Sequence, residues 1–366
     1  MATKALNSKL SEAKLAKEDE FYTQLPDIER ELRHYKKHVK GKVVYLNCDD
    51  PRVSNFFYYF SYNFEKLGLK KLIATCYKSQ HADLFSQNDS EQAIYLEYEG
   101  DMNSNNVPDP EEIGIKPLKG DGDFRSEEGI ELLKQADIVV TNPPFSLLRE
   151  YVAQLMQYDK TFLIIGNQNA ISYKEIFPLI KDNKLWLGYN NGNMEFKVPD
   201  YYPPRASRFW VDESGQKWRS LGNACWFTNL DISKRHENLI LYKTYRPDRY
   251  PSYDNYDAIE VSKVVDIPAD YDGVMGVPLT FLDKHNPDQF EIVGMTQSWF
   301  GGASKIYPRQ VQVDADGKES VVTKLNDGAA MKVDTPPPNK TYYRVGDECF
   351  VKAYARILIR RKDESA

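Results

Sequence analysis

The strongest constraint on this chain is a full stop built into its middle. Ala136-Asp137-Ile138-Val139-Val140-Thr141 is a short β-branched run that reads as a buried strand, and it halts on Asn142-Pro143-Pro144-Phe145. A proline disfavours the helical conformation of the residue before it and has no backbone N–H. Asn142 and Pro143 are therefore pushed extended, and the tip presents acceptors. At the end of a central strand of an open α/β sheet, such a tip lies where these folds bind ligands. The Asn142 side-chain oxygen and the Pro143 carbonyl can accept both hydrogens of a planar amino group, which favours rehybridisation so that the nitrogen lone pair can attack. Phe145 offers a flat face for the ring that carries the amine. The competing reading of the four residues is a turn that ends a strand and does nothing more.

Length and composition frame the choice. A chain of 366 residues has room for two domains or one large domain with an appended module, and 41% hydrophobic with 28% charged residues describes an ordinary soluble protein with a real core. No apolar run approaches the roughly 18 residues of a membrane span, and Met1-Ala2-Thr3-Lys4 leads into a polar stretch, so a cytoplasmic protein without membrane association is expected. Cys48, Cys76, Cys225 and Cys349 lie far apart, a spacing that points to neither a zinc site nor a disulfide framework, and no metal is expected. The net charge of −6 argues weakly against nucleic acid, but its distribution matters more. From Ser79 to Ile113 there is no Lys or Arg, while Asp83, Asp89, Glu91, Glu97, Glu99, Asp101, Asp109, Glu111 and Glu112 are all acidic. The remainder is slightly basic, leaving room for a phosphate-binding face from which this acidic insert should point away.

Taken in order, residues 4–20 read as a short exposed helix or loose arm, and a helix is expected from Leu25 to Val39. Lys42-Val43-Val44-Tyr45-Leu46-Asn47 is a strand that stops at Cys48-Asp49-Asp50-Pro51, after which Ser54 can cap a helix with an aromatic face. Without phosphate-loop glycines, this opening unit of a nucleotide-type domain is a poor dinucleotide site; paired carboxylates suit an ammonium or hydroxyl groups. An Asp-Pro turn with a helix cap is the alternative. A second strand, Lys71–Cys76, precedes the acidic insert, in which a hairpin is expected around Ile94–Tyr98. Gly120-Asp121-Gly122-Asp123-Phe124-Arg125 is either a surface turn or, if the strands are parallel, a loop on the same sheet edge as Asn142. Leu147, Leu148, Tyr151, Val152, Leu155 and Met156 recur at helical spacing, followed by a strand at Thr161–Ile165, a helix at Tyr173–Lys181 and a strand at Leu185–Leu187. Arg208–Val211 and Gln216–Arg219 read as a hairpin, and Ala224–Thr228 as a last sheet strand. Beyond about residue 235 helical periodicity fades and basic residues interleave with aromatic ones: Lys243, Tyr245, Arg246, Arg249 and Tyr250, then Lys305, Tyr307 and Arg309. The final Tyr354–Lys362 reads as a strand with a cationic edge. Such interleaving fits phosphate contacts plus base stacking, with a solvated surface as the alternative for each cluster.

These segments, taken together, resemble an adenine-specific DNA methyltransferase of the EcoRI type. The similarity is carried by Asp19-Glu20-Phe21-Tyr22-Thr23-Gln24, Lys42-Val43-Val44-Tyr45, Asn47-Cys48-Asp49-Asp50-Pro51-Arg52-Val53-Ser54-Asn55-Phe56-Phe57, Gly120 to Ser126, Asp137 to Phe145, Tyr253 to Ile259 and Gly273 to Pro278. It covers most of the chain up to about Gln289; from about Met295 to Cys349 little matches. The resemblance implies an α/β fold: a Rossmann-like S-adenosylmethionine-dependent methyltransferase domain over residues 1–235, containing the insert at about 79–113, and a β-rich target-recognition region over 236–366. It implies S-adenosyl-L-methionine as cofactor, with Asn142, Pro143, Pro144 and Phe145 as the catalytic tip. Cofactor contacts carried over are Phe21, Tyr22, Thr23, Asn47, Asp49, Asp50, Asp121, Asp123 and Phe124. Two departures stand out: the glycines usual after the first strand are missing, and the second strand ends in Thr75-Cys76-Tyr77 without the usual ribose-binding acid.

The activity expected from the resemblance is methylation of N6 of an adenine rotated out of double-stranded DNA. Arg205, Arg208, Arg246, Arg249, Lys305 and Arg309 are the expected DNA contacts. A monomer is expected, with a cognate restriction endonuclease only as a genetic partner. The alternatives are a catalytically inactive DNA-binding homologue and a methyltransferase acting on RNA adenine or protein glutamine.

Overall fold

The structure, a computed structural model, describes residues 21–47, 49–77, 93–101 and 107–362. The expected N-terminal arm, Asp19, Glu20, Cys48 and much of the acidic insert fall outside the described residues. The chain divides into two compact units: residues up to Ala170 with Leu185–Ile232, and Ile171–Lys184 with the residues from Ser233 onward. The stretch 171–184, which falls within the expected catalytic span 1–235, packs in the second unit, where Phe177 meets Trp299 and Phe300 edge-on. Its helix is also shorter than expected, Phe177–Lys181.

The first unit is built on a sheet of eleven described strands: β1 (Tyr22–Thr23), β2 (Val43–Asn47), β3 (Lys71–Cys76), β4 (Ile94–Tyr98), β5 (Lys116–Pro117), β6 (Ile138–Thr141), β7 (Thr161–Asn167), β8 (Trp186–Leu187), β9 (Gly192–Lys197), β10 (Phe209–Val211) and β11 (Lys217–Thr228). The path runs β1-β9-β11-β7-β6-β2-β3-β4-β5, with β8 and β10 attached to β11. Its middle, β7-β6-β2-β3, is parallel, and everything outside it is antiparallel. Parallel strands are covered on both faces, and every residue of β2 and β6 is buried accordingly. From β2 the chain crosses to β3 on one side, and from β6 to β7 on the other. The carboxyl ends of β2 and β6 therefore flank a topological switch point, and the Asn142 tip stands on one lip of it.

The covering helices follow local signals. Ser54 caps Asn55–Tyr62 by accepting from Phe57 N at 3.4 Å, and Ser126 caps Glu127–Gln135 by accepting from Gly129 N at 3.0 Å. The helix expected over residues 25–39 is broken into Leu25–Leu32 and Lys36–Val39. The break turns Tyr35 inward, where its hydroxyl donates to the buried Glu31 carboxylate at 2.7 Å; Tyr189 N, Asn190 N and Asn190 Nδ2 supply further donors. The β10–β11 hairpin has the expected pairing, Phe209 opposite Arg219. Its second arm and the expected last strand form one element, Lys217–Thr228, with a bulge between Leu221 and Ala224 that carries the chain through Gly222. Ile94–Tyr98 is not a hairpin of its own but pairs with β3 and β5.

In the second unit, β12 (Ile259–Glu260), β13 (Met275–Pro278), β14 (Phe290–Met295) and β20 (Arg356–Arg361) form a sheet in the order β12-β13-β20-β14. A second sheet runs β16-β15-β18-β19-β17, from β15 (Gln310–Val313), β16 (Glu319–Val322), β17 (Ala330–Val333), β18 (Tyr342–Val345) and β19 (Glu348–Lys352). The C-terminal strand is central rather than a cationic edge: β13 and β14 flank it, Ile357 and Ile359 are fully buried, and Arg356 turns inward to Glu260 at 2.7 Å. Cys76 and Cys225 are buried free thiols and Cys349 a half-buried one. No helix among the described residues is long and apolar enough to cross a membrane.

Candidate active site

The tip is fixed from both sides. Thr141 Oγ1 donates to the Asn47 carbonyl, and Tyr151 Oη donates to Asn47 Oδ1, so the ends of β2 and β6 are tied together through one asparagine. Asn142 itself is 7% exposed, and its amide has only one workable orientation. Nδ2 donates to Phe21 O at 2.5 Å and to Thr23 Oγ1 at 3.2 Å. Oδ1 is left buried and without a hydrogen-bond partner among the described residues. Pro143 is buried, while Pro144 and Phe145 are half-buried. Phe145 lies 5.3 Å from Phe21, whose other neighbours are Phe196 at 5.5 Å and Tyr202 at 6.2 Å. An acceptor and a partly open ring thus stand side by side at the tip, backed by an aromatic wall.

The N-terminal segment is brought to the tip from far away in sequence. Tyr22–Thr23 pairs with β9, while Asn55 Nδ2 donates to Thr23 O at 2.8 Å. Of the residues expected at the cofactor, Phe21 and Thr23 contact Asn142 directly, Tyr22 lies between them in the chain, and Asn47 is bonded to the neighbouring Thr141 with its carboxamide oxygen taken by Tyr151.

The carboxylates are less free than their sequence positions imply. Asp50, 3% exposed, accepts from its own chain two residues on: Arg52 N at 2.9 Å, Nε at 3.0 Å and Nη2 at 2.5 Å. Asp123, 4% exposed, repeats the arrangement with Arg125 N at 2.8 Å, Nε at 3.0 Å and Nη2 at 2.8 Å. The hydrogen bond to Asp123 is the main cause holding the Arg125 guanidinium above its ordinary value, with Glu150 assisting from 2.6 Å. Sequence reasoning passed over both arginines, although an Asp-x-Arg spacing is visible in each segment. Asp49 and Asp121 are half-buried, and Phe124 packs edge-on against Tyr151 at 5.0 Å. The loop holding Asp121 and Asp123 rests on the end of β3: a Cβ on Gly122 would stand 2.6 Å from Cys76 O and from Tyr77 Cα.

The expected DNA contacts separate by unit. Arg205 and Arg208 are exposed beside the β10–β11 hairpin in the first unit, with Arg205 5.8 Å over the Tyr202 ring. Arg246, Arg249, Lys305 and Arg309 are exposed in the second. Arg246 is forked on Asp248 at 2.9–3.0 Å, and Lys305 pairs with Asp254 at 2.7 Å, so part of that charge is already compensated.

A family described as "Adenine-specific methyltransferase EcoRI" matches residues 9–362. The chain belongs to this family. It is 53% identical over 297 residues to the Type II methyltransferase M.EcoRI of Escherichia coli, a match spanning 80% of this chain and 90% of that protein. It is also 43% identical over 290 residues to M.MgeORF184P of Mycoplasma genitalium, covering 77% of this chain and 84% of the relative. With M.MpnI of Mycoplasma pneumoniae it shares 42% over 287 residues, covering 77% and 83%. No solved structure matches the chain significantly. As a member of the EcoRI adenine-specific methyltransferase family the protein is an enzyme that methylates adenine.

Proposed function

We propose that the protein transfers a methyl group from S-adenosylmethionine to N6 of an adenine rotated out of duplex DNA, with Asn142, Pro143, Pro144 and Phe145 forming the receiving site. The observation that carries this reading is the Asn142 carboxamide. Its NH2 group is committed to Phe21 O and Thr23 Oγ1, so Oδ1 is a buried acceptor with no donor of its own among the described residues. Leaving such a group unpaired costs on the order of 1–3 kcal/mol, a cost that an incoming N–H removes. An exocyclic amine brings two N–H groups, one for Asn142 Oδ1 and one for the Pro143 carbonyl, while Phe145 stacks on the base. The nitrogen turns acidic only once transfer is under way, so positioning and carbonyl acceptors supply the catalysis without a strong general base.

The chemistry of the surrounding groups fits the cofactor. Asp49, Asp50, Asp121 and Asp123 offer carboxylate oxygens for an ammonium, hydroxyls and an aromatic amine; Phe21 to Thr23 and Phe124 supply the less polar surface. Asp50 and Asp123 are held rigid by Arg52 and Arg125, which presets their remaining acceptor directions. When bound, S-adenosylmethionine supplies an electrophilic methyl carbon on a sulfonium. In this reading the first unit holds a Rossmann-like catalytic domain. The second, with Arg246, Arg249, Lys305 and Arg309, reads the duplex. The enzyme acts as a cytoplasmic monomer, the modification half of a restriction–modification pair or a solitary methylase.

Incubation with the methyl donor and genomic duplex DNA, followed by sequencing for modified adenines, tests the reaction and reads out its site. Asn142→Ala should abolish the modification while calorimetry finds donor affinity within about threefold of the parent. Undiminished methylation by that variant removes the central assignment.

A further inference from the structure

Arg208 adopts a backbone conformation that arginine rarely takes. Its φ is +55°, in the left-handed region that favours glycine. Neighbours hold it there: its carbonyl accepts from Ser220 N at 3.0 Å and from Arg219 Nη1 at 3.0 Å. The consequence is the direction of the side chain. A Cβ built on Gly222 would stand 2.0 Å from Arg208 Nη1 and 2.9 Å from Cζ, so the guanidinium lies across the bare backbone of Gly222, at the bulge in β11.

Its charge is the second observation. Arg52, Arg125, Arg246 and Arg356 are each forked on a carboxylate, at Asp50, Asp123, Asp248 and Glu260. Arg208 is exposed, and no carboxylate among the described residues pairs with it. A guanidinium aimed by its backbone, laid across a glycine and without a carboxylate partner among the described residues is a planar fork that an anion can complete. Position is the third observation. The next residue, Phe209, stacks on Tyr202 at 6.3 Å, Tyr202 lies 6.2 Å from Phe21, and Phe21 lies 5.3 Å from Phe145. A series of aromatic contacts thus runs from the tip to the residue that follows Arg208 in the chain.

We propose that Arg208, preset by Gly222, is a contact to a backbone phosphate of the DNA duplex on the same unit that carries the Asn142 tip. The proposal rests on the duplex-DNA reading given above. It makes Arg208 a positioning residue: it fixes the strand next to the extruded base and reads no sequence.

A phosphate contact has a signature that a structural role lacks, because each neutralised phosphate adds about 0.9 to the slope of log affinity against log salt. The probe is a duplex of about 30 base pairs and arbitrary sequence, titrated by fluorescence anisotropy between about 50 and 200 mM salt. Arg208→Ala should weaken binding roughly tenfold at the low end and reduce the slope by about 0.9, and Arg208→Lys should keep the slope. Gly222→Ala leaves the charge in place but displaces the guanidinium; it should weaken binding in the parent and have no effect in the Arg208→Ala background. An unchanged slope in Arg208→Ala, or a Gly222→Ala defect of equal size in both backgrounds, overturns the proposal. A parent that neither binds nor methylates duplex DNA sinks the underlying reading instead, so the two failures are told apart.

Discussion

Asn142 Nδ2 donates to the main-chain oxygen of Phe21 at 2.5 Å, across 121 residues of sequence. A carbonyl can only accept, so this bond decides which end of the carboxamide would face a substrate in the proposed site. Asn142→Asp keeps the shape and removes the donor, setting a carboxylate oxygen against the Phe21 carbonyl. The rate of methyl transfer at saturating substrates should fall by about 10²–10³, the usual cost of losing one preorganised polar contact, with donor affinity little changed. A variant as fast as the parent would mean that the Phe21 contact does not orient an amide used in the reaction.

Gly122 is where the loop bearing Asp121, Asp123 and Phe124 touches the end of β3. Its φ is +77°, and both close neighbours of a Cβ there, Cys76 O and Tyr77 Cα at 2.6 Å, are backbone atoms that cannot swing aside. Gly114 provides a control, with φ +95° and nothing within 4 Å. Gly114→Ala should cost about 1–2 kcal/mol from backbone strain alone, and Gly122→Ala clearly more, together with an approximately tenfold loss of affinity for the methyl donor. Equal destabilisation in denaturant titrations, with unchanged donor binding, would show that the close approach is not what shapes the loop.

The parallel centre of the first sheet was legible because its strands are buried on both faces and spell themselves as apolar, β-branched runs, and the end of β6 because two prolines cannot continue a sheet ladder. What escaped depended on partners distant in sequence. Tyr35 breaks its helix to reach a carboxylate that is itself satisfied by Tyr189 and Asn190. Lys217–Thr228 is one strand through Ser220-Leu221-Gly222-Asn223, where no local pattern announces pairing, because β9 and the Arg208 side chain cover the bulge. The alternation at Arg356 reads as a charged edge until Glu260 is found opposite it. Asp50 stands out as one of two paired carboxylates and Asp123 through the family resemblance, but their immediate partners are arginines two residues away.

The Glu260–Arg356 pair in the second unit is nearly dry: side-chain exposures are 4% and 13%, and Tyr253 Oη donates to the same carboxylate. Burial is the main cause raising the Tyr253 hydroxyl above its ordinary value, with the Glu260 charge adding to it. Removing one partner leaves a buried charge, whereas removing both leaves none. Arg356→Met alone should therefore destabilise the protein by about 3–5 kcal/mol, and Arg356→Met with Glu260→Leu by much less. Urea unfolding of the two single variants and the double variant measures the coupling; costs that simply add would mean the ions do not act as a pair.

His285 makes the stability of the second unit depend on pH. The ring is 8% exposed, and Nε2 donates to the Phe290 carbonyl at 3.0 Å. Burial, chiefly, lowers its pKa from 6.5 to about 4, Arg235 and Lys362 push the same way, and the Phe290 bond opposes them. A lowered folded-state value means that the unfolded chain takes up the proton first. The contribution of the neutral ring is therefore fully present above pH 6.5 and is lost as pH falls toward 4, reaching about 2.5 kcal/mol near pH 4.5. His285→Gln keeps an N–H for the Phe290 carbonyl but cannot take a proton in this range. Between pH 7 and pH 4.5 its unfolding free energy should fall by about 2.5 kcal/mol less than the parent's, measured by urea titration at each pH. Parallel losses in the two proteins would assign the acid sensitivity to other groups and leave the histidine a packing residue.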